Sequence, residues 1–188
     1  MSLLALLRHG ETEWSAAGRI QGRSDIPLSA AGRDALRARR LPQACAGMQW
    51  VTSPLARCAE TAALLGAPDA RREPRLAEMH WGAWEGRRLA ELRAELGAQM
   101  ARNEACGLDF RPQGGESPRE VLARVQSWVL ELRESTLAVT HRGVIRVLFA
   151  EATGWDMRGK PPAKLDWSAV QLFRLVGGRP KVEHLNLG

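Results

Sequence analysis

Apolar positions along the chain follow two different periods. Leu3 to Leu7 is an unbroken apolar run of five that stops at Arg8, too short for a standalone helix and well suited to a buried strand. Trp50-Val51-Thr52 and Leu137-Ala138-Val139-Thr140 have the same character. Between them the period lengthens. Ser29 is placed to cap a helix through Ala31, Ala35 and Leu36 toward Arg40, with Pro42 beyond its end. Ser53-Pro54 reads as the N-cap and first position of a second helix, with Leu55, Cys58 or Ala59, Ala62 and Leu65 inward and Gly66 as its stop. Ser117-Pro118-Arg119-Glu120 forms a capping box. Behind it Val121, Leu122, Val125, Trp128, Val129 and Leu132 make a clean amphipathic stripe. Val144 to Glu151 predicts another helix, ended by Gly154.

Elsewhere the pattern is weaker. Residues 18–22 and 24–27 read as loop, Arg71 to Leu76 as a brief edge strand, and 77–86 as a loop carrying Trp81 and Trp84. Leu89 to Met100 predicts an exposed helix, and 107–115 is irregular again. Ala169 to Val176 and Lys181 to Leu185, separated by Gly177-Gly178-Arg179-Pro180, predict a terminal hairpin. Strands alternating with helices imply an α/β class, a three-layer α/β/α sandwich on a mostly parallel central sheet. Residues 1–188 form a single domain in this reading, with 77–116 as a lid-like insertion.

That architecture gives three junctions a joint meaning. Arg8-His9-Gly10 follows the first strand, Arg57 lies just after the second, and His141 follows the fourth. Parallel strands bring their carboxyl ends to one edge, where open α/β sheets bind ligands. Two guanidinium groups and two imidazoles would then surround one point. Arginine forks bind a phosphate dianion bidentately. A neutral imidazole can attack phosphorus and carry the phosphoryl group, and a second imidazole, if protonated, can donate to a phosphoryl oxygen. Glu78, in a loop beside Trp81 and Trp84, supplies a carboxyl whose indole neighbours should raise its pKa, as a general acid needs.

Charge and composition narrow the partners. The net charge is +6, and Lys160, Lys164 and Lys181 are the only lysines among the bases. The arginines are scattered, without a basic stripe or aromatic interleaving, which favours small anions over nucleic acid. Apolar residues make up 45 % of the chain, enough for a core, and no apolar run approaches the roughly 20 residues of a membrane helix. The first residues lack the basic flank and long apolar stretch of a secretory signal. Cys45, Cys58 and Cys106 are odd in number without CxxC spacing, so reduced thiols and a cytoplasmic location are expected. Cys58 beside Arg57 reads as a small buried residue rather than a reactive thiol.

Several motifs together resemble the histidine phosphatase superfamily, in its phosphoglycerate mutase-like branch. They are Leu7-Arg8-His9-Gly10-Glu11-Thr12, Gly22 to Ser29, Ser53-Pro54-Leu55-Ala56-Arg57 with Thr61-Ala62, and Glu78-Met79 with Gly82 and Trp84-Glu85-Gly86. Gly114-Gly115-Glu116-Ser117 and Thr140-His141 with Gly143-Val144-Ile145-Arg146 complete the set, in order over roughly residues 3–150. The resemblance implies His9 as the phosphorylated nucleophile, Arg8, Arg57 and His141 as the phosphate pocket, and Glu78 as the proton donor. It implies catalysis without metal or other cofactor. Ser15 stands where the family often has an asparagine reaching the phosphate, and Arg142 where a glycine is usual.

The implied activity is hydrolysis of a small phosphomonoester. The compact length and the Gly22–Leu28 and Glu78–Gly86 runs look most like bacterial α-ribazole-5′-phosphate phosphatases of cobalamin biosynthesis. A cofactor-dependent phosphoglycerate mutase is the first alternative and a non-catalytic phosphate-binding module the second. Glu11 and Glu13 near His9 lack HxxxH or HExxH spacing, so no metal site is expected. His80 and His184 have no motif partners, Trp14, Trp81 and Trp84 read as packing, and Gly114–Ser117 as loop and helix cap. The expected partner is a phosphorylated metabolite, not nucleic acid or membrane, with monomer and homodimer both open.

Overall fold

The computed structural model describes residues 2–188. Strand β1 (Leu3–Arg8) lies inside a six-stranded sheet, and its side chains are buried on both faces from Leu4 to Leu7. This explains why its sequence is continuously apolar rather than alternating. A single turn, α1 (Glu13–Ala16), is followed by α2 (Ala30–Ala38). Next come β2 (Gln49–Thr52), α3 (Ala56–Leu64) and a two-residue β3 (Arg71–Arg72). Helices α4 (Leu89–Leu96), α5 (Ala98–Glu104) and α6 (Pro118–Val129) precede β4 (Thr136–Thr140) and α7 (Arg142–Thr153). A hairpin of β5 (Val170–Val176) and β6 (Arg179–Leu187) closes the chain.

The sheet order is β3-β2-β4-β1-β5-β6. Strands β3, β2, β4 and β1 run parallel, with Leu6 opposite Ala138 and Val51 opposite Ala138 on its other side. The hairpin adds two antiparallel strands, β5 pairing with β1. On one face Leu4, Leu6, Ala138 and Phe173 pack against α6 and α7 through Val125, Trp128, Val144 and Leu148. On the other, Ala5, Leu7, Leu137 and Val139 meet Cys58, Ala62, Met48 and Cys45. The three layers are those expected of an α/β sandwich. No helix among the described residues is long and apolar enough to cross a membrane.

Local chemistry sets the element ends. Ser29 caps α2 through the Gly32 amide, and Ser117 and Glu120 close the capping box of α6 with Pro118 in the first turn. Gly154 ends α7 in a left-handed conformation (φ +73°). Other boundaries differ from the sequence reading. The edge strand expected over Arg71–Leu76 is only two residues long. Pro74 has no N–H for a ladder, and the Glu73 side chain accepts from the Arg75 backbone to start a 3₁₀ turn over Pro74–Leu76. The helix expected over Leu89–Met100 is two helices broken at Gly97, whose φ of +49° and ψ of −121° suit only glycine. It is not simply exposed, because Leu92 and Met100 are buried with Trp84 in a small separate cluster.

Helix α6 stops at Val129, short of Leu132, and leaves Leu130 exposed. Helix α7 starts two residues earlier than Val144 and runs past Glu151 to Thr153. The hairpin turn is Gly177-Gly178 alone, since Arg179 and Pro180 already belong to β6. Ser53 and Pro54 do not cap α3, whose N-cap is Leu55. The free Ala56 amide there donates instead to Asp25 Oδ1 at 2.7 Å. Ser53 Oγ is drawn inward, for the reason given next.

Candidate active site

The carboxyl ends of β1, β4 and β2 lie side by side, and three backbone bonds continue the ladder past them. The His9 amide donates to the Thr140 carbonyl at 3.0 Å, the Ser53 amide to Val139 at 2.9 Å, and the Glu73 amide to Thr52 at 2.8 Å. His9 and His141 are therefore neighbours, with ring centroids 5.2 Å apart and both rings buried. Arg57, on the first turn of α3, is fully buried beside them.

His9 Nδ1 lies 2.7 Å from the Gly10 carbonyl oxygen. A carbonyl can only accept, so Nδ1 carries the proton and Nε2 keeps its lone pair. Burial, with Arg8 and Arg57 adding to it, holds the His9 pKa well below the usual histidine range. The imidazole is neutral at physiological pH, as a nucleophile requires. His141 is shifted the same way, by burial first and then by Arg57. It is thus a neutral imidazole here rather than the imidazolium considered from sequence. Its Nε2 pairs with Ser53 Oγ at 2.7 Å, which is what keeps Ser53 from capping α3.

Arg57 donates through Nη1 to the Ser24 carbonyl (2.9 Å) and through Nη2 to Gly22 (2.7 Å), fixing the 22–24 loop against α3. Its Nε–H and that of Arg8 are buried and have no protein acceptor among the described residues. Two orphaned guanidinium donors beside a neutral imidazole are costly unless an anion is meant to meet them.

Glu78, in the loop after the Pro74–Leu76 turn, is buried with its carboxyl against the first turn of α7. Its carboxyl oxygens accept from the Met79 amide at 2.8 Å and the Gly143 amide at 3.1 and 3.2 Å. Burial raises its pKa, and these two backbone donors oppose the rise without cancelling it. Trp81 packs edge-on and Trp84 tilted against Phe110, with centroids 5.7 Å away; Trp84 is buried as a packing residue, whereas Trp81 also lines the cavity.

These groups open on a cavity of about 600 Å³. Arg8, His9, Ser15, Gln21, Glu78, Arg142 and Arg146 all line it, and Trp81, Leu89, Arg93 and Phe110 form the wall contributed by the 77–116 segment. His141 and Arg57 sit deeper, behind His9. Ser15 reaches the cavity, yet its hydroxyl accepts from the Thr12 amide (2.9 Å) and donates to the Thr12 carbonyl (3.0 Å), closing α1. Gln21, not singled out from sequence, accepts from Thr12 Oγ1 through Oε1 at 2.6 Å, which leaves its amide N–H groups available at the cavity wall. Arg142 sits at the mouth with its guanidinium 4.6 Å from the Trp167 ring centroid.

Cys58 is fully buried with its thiol pKa pushed up by burial, as a packing residue would be. His80 is partly exposed and faces Glu85 at 4.0 Å. The three cysteines are free.

The family model for the histidine phosphatase superfamily (branch 1) matches residues 4–188. The chain belongs to that superfamily. It is 34 % identical over 165 residues to the glucosyl-3-phosphoglycerate phosphatase of Mycobacterium tuberculosis, covering 78 % of this chain and 73 % of that one. It is 30 % identical, over 80 % of this chain and 75 % of the other, to a 2,3-bisphosphoglycerate-dependent phosphoglycerate mutase of Gloeobacter violaceus. Among solved structures, the mycobacterial glucosyl-3-phosphoglycerate phosphatase in complex with inorganic phosphate superposes with a TM-score of 0.80 at 28 % identity, over 100 % of this chain and 98 % of that one. These relatives are named for phosphoglycerate-type compounds and lend no support to the α-ribazole phosphate resemblance. As a member of the superfamily the chain is an enzyme of phosphatase or mutase type.

Proposed function

We propose that this histidine phosphatase hydrolyses small phosphomonoesters through a phosphohistidine on His9, in the cytoplasm and without a metal. The observation that carries this reading is the neutral His9, with Nε2 unprotonated, beside the unpartnered Nε–H donors of Arg8 and Arg57. In the first step Nε2 forms a bond to phosphorus as the ester oxygen leaves, and protonated Glu78 gives that oxygen its proton. Arg8, Arg57 and the His141 N–H stabilise the charge spread over the phosphoryl oxygens. In the second step ionised Glu78 takes a proton from water, the hydroxyl attacks phosphorus, and the P–N bond breaks to return neutral His9. Ser15 supports this pocket by closing the turn behind His9, and Gln21 offers the amide donor that an asparagine at 15 would supply.

The test is a phosphatase screen with trapping of the phosphoenzyme. Substrates should include glucosyl-3-phosphoglycerate, 3-phosphoglycerate, α-ribazole-5′-phosphate and simple sugar phosphates. Acid-labile phosphate on the wild type and its absence from His9→Ala is the expected result. Full activity in His9→Ala would end the nucleophile assignment. The similarity to the Gloeobacter mutase keeps one rival reading. Isomerisation of phosphoglycerate that requires a bisphosphoglycerate primer and outpaces hydrolysis would establish the mutase instead. Phosphate binding with no turnover of any ester would favour a binding module.

A further inference from the structure

Two arginines of the cavity have no partner assigned by the reaction above. Arg142 and Arg146 lie four residues apart on α7, hence on one face of it and about 6 Å apart along its axis. Both line the cavity on the Glu78 side. Neither side chain makes an ion pair or hydrogen bond with another described residue. Of the other lining arginines, Arg93 pairs with Glu104 at 2.7 Å and Arg19 donates to the Gly86 carbonyl at 2.7 Å, while Arg8, beside His9, is the one the reaction above assigns to the scissile phosphate.

Instead of carboxylates, indoles hold these two charges. The Arg142 guanidinium stacks 4.6 Å from the Trp167 centroid, and that of Arg146 lies 5.4 Å from Trp155. Stacking fixes the position of a guanidinium while leaving its charge unneutralised and its in-plane donors free. Arg146 is half-buried. Its pKa is lowered by burial and then by Arg142. The carboxyl that offsets them is Glu78, and that group is uncharged in the protonated form from which it acts as the acid.

The geometry points to a second anion site: Arg142 and Arg146 together bind a carboxylate or a second phosphate on the leaving-group side of the substrate. This inference rests on the phosphatase reading for the location of the scissile phosphate. It narrows the substrate class from phosphomonoesters in general to those carrying another negative group near the ester oxygen. Glu78 sits between the two anions, and a leaving group anchored through its own charge presents its ester oxygen to that acid.

The experiment compares matched pairs: 3-phosphoglycerate with glycerol 3-phosphate, and glucose 1,6-bisphosphate with glucose 6-phosphate. Wild type should prefer the doubly anionic member of at least one pair by tenfold or more in kcat/KM, and the preferred pair identifies carboxylate or phosphate. Arg146→Gln should cut that preference at least tenfold, mainly through KM, Arg142→Gln should reduce it less, and Arg146→Lys should restore most of it. A wild-type preference near one for both pairs would overturn the site, as would equal losses on both members of a pair in Arg146→Gln. Calorimetric affinities for the same four ligands, measured in His9→Ala with and without Arg146→Gln, carry the same expected ratio. If wild type turns over no ester, that binding ratio still decides the anion site while the phosphatase reading fails alone.

Discussion

The Gly143 amide stands 3.1 and 3.2 Å from the two carboxyl oxygens of Glu78, and a Cβ at position 143 would collide with Oε1. The contact ties the acid to the first turn of α7, one residue beyond Arg142. It also explains why glycine is needed at 143 even though its backbone is helical. Gly143→Ala should therefore displace the Glu78 carboxyl while α7 gains about 1 kcal/mol of intrinsic helix propensity. The expected result is a fall of about 10²-fold in kcat on alkyl phosphates, a much smaller fall on activated aryl phosphates that leave without a proton, and a melting temperature close to wild type. Equal losses on both substrate types would mean that Glu78 is not the proton donor.

The opposed shifts of His9 and Glu78 fix the direction of the pH dependence. His9 must be neutral to attack, and its pKa lies well below 6.5, so the acid limb of kcat/KM lies well below that value. Glu78 must be protonated in the first step, and its pKa is raised above 4.5, so activity on poor leaving groups declines as pH rises through that raised value. The optimum should fall between the two limbs, above the depressed His9 pKa and below the raised Glu78 pKa. In Glu78→Gln, which cannot ionise, the ratio of variant to wild-type kcat/KM should climb with pH across the alkaline limb. A flat ratio would assign that limb to another group.

The central sheet was legible because β1 and β4 are buried on both faces and so are apolar without interruption. Helix α6 was legible because Ser117, Pro118 and Glu120 state its start chemically. The boundaries that moved did so where a tertiary partner outweighed local preference. Ser53 is a good cap in isolation, but His141 recruits its hydroxyl from a strand 88 residues away in sequence. Gly97 reads as a tolerable helix residue until the chain must turn to bury Leu92 and Met100. In the site, Arg8, His9, Arg57 and His141 could be placed together because parallel strands align their carboxyl ends. The engagement of the Ser15 hydroxyl by Thr12 and the vacant donors of Gln21 depend on rotamers that no spacing encodes. Arg146 reads in the sequence only as part of the Gly143–Arg146 motif, and its stacking on Trp155 follows from how the 154–167 segment folds back over α7.

Glu85 offers the last prediction, since it shapes the phosphate pocket without touching it. Its Oε1 accepts from the Arg23 amide at 2.9 Å and the Trp81 amide at 3.2 Å, and its Oε2 from the Ser24 amide at 2.8 Å and hydroxyl at 2.5 Å. The loop so held presents the Gly22 and Ser24 carbonyls to Arg57, and only glycine fits at 22, where a Cβ would meet the Glu85 carboxyl. Burial works against the Glu85 charge, yet the bonds from Ser24, Arg23 and Trp81 outweigh it and hold the pKa below 4.5. Its stabilising contribution is therefore full above that value and lost as pH falls through the depressed folded pKa. Glu85→Gln sets an amide N–H₂ against these donors and should destabilise the fold by about 2–3 kcal/mol at neutral pH, read by urea denaturation. The difference from wild type should shrink on acidification below pH 4.5. The inhibition constant for inorganic phosphate should rise severalfold, because Arg57 loses the carbonyls that orient it. A stability difference that stays constant with pH, or an unchanged phosphate affinity, would separate Glu85 from the Arg57 pocket.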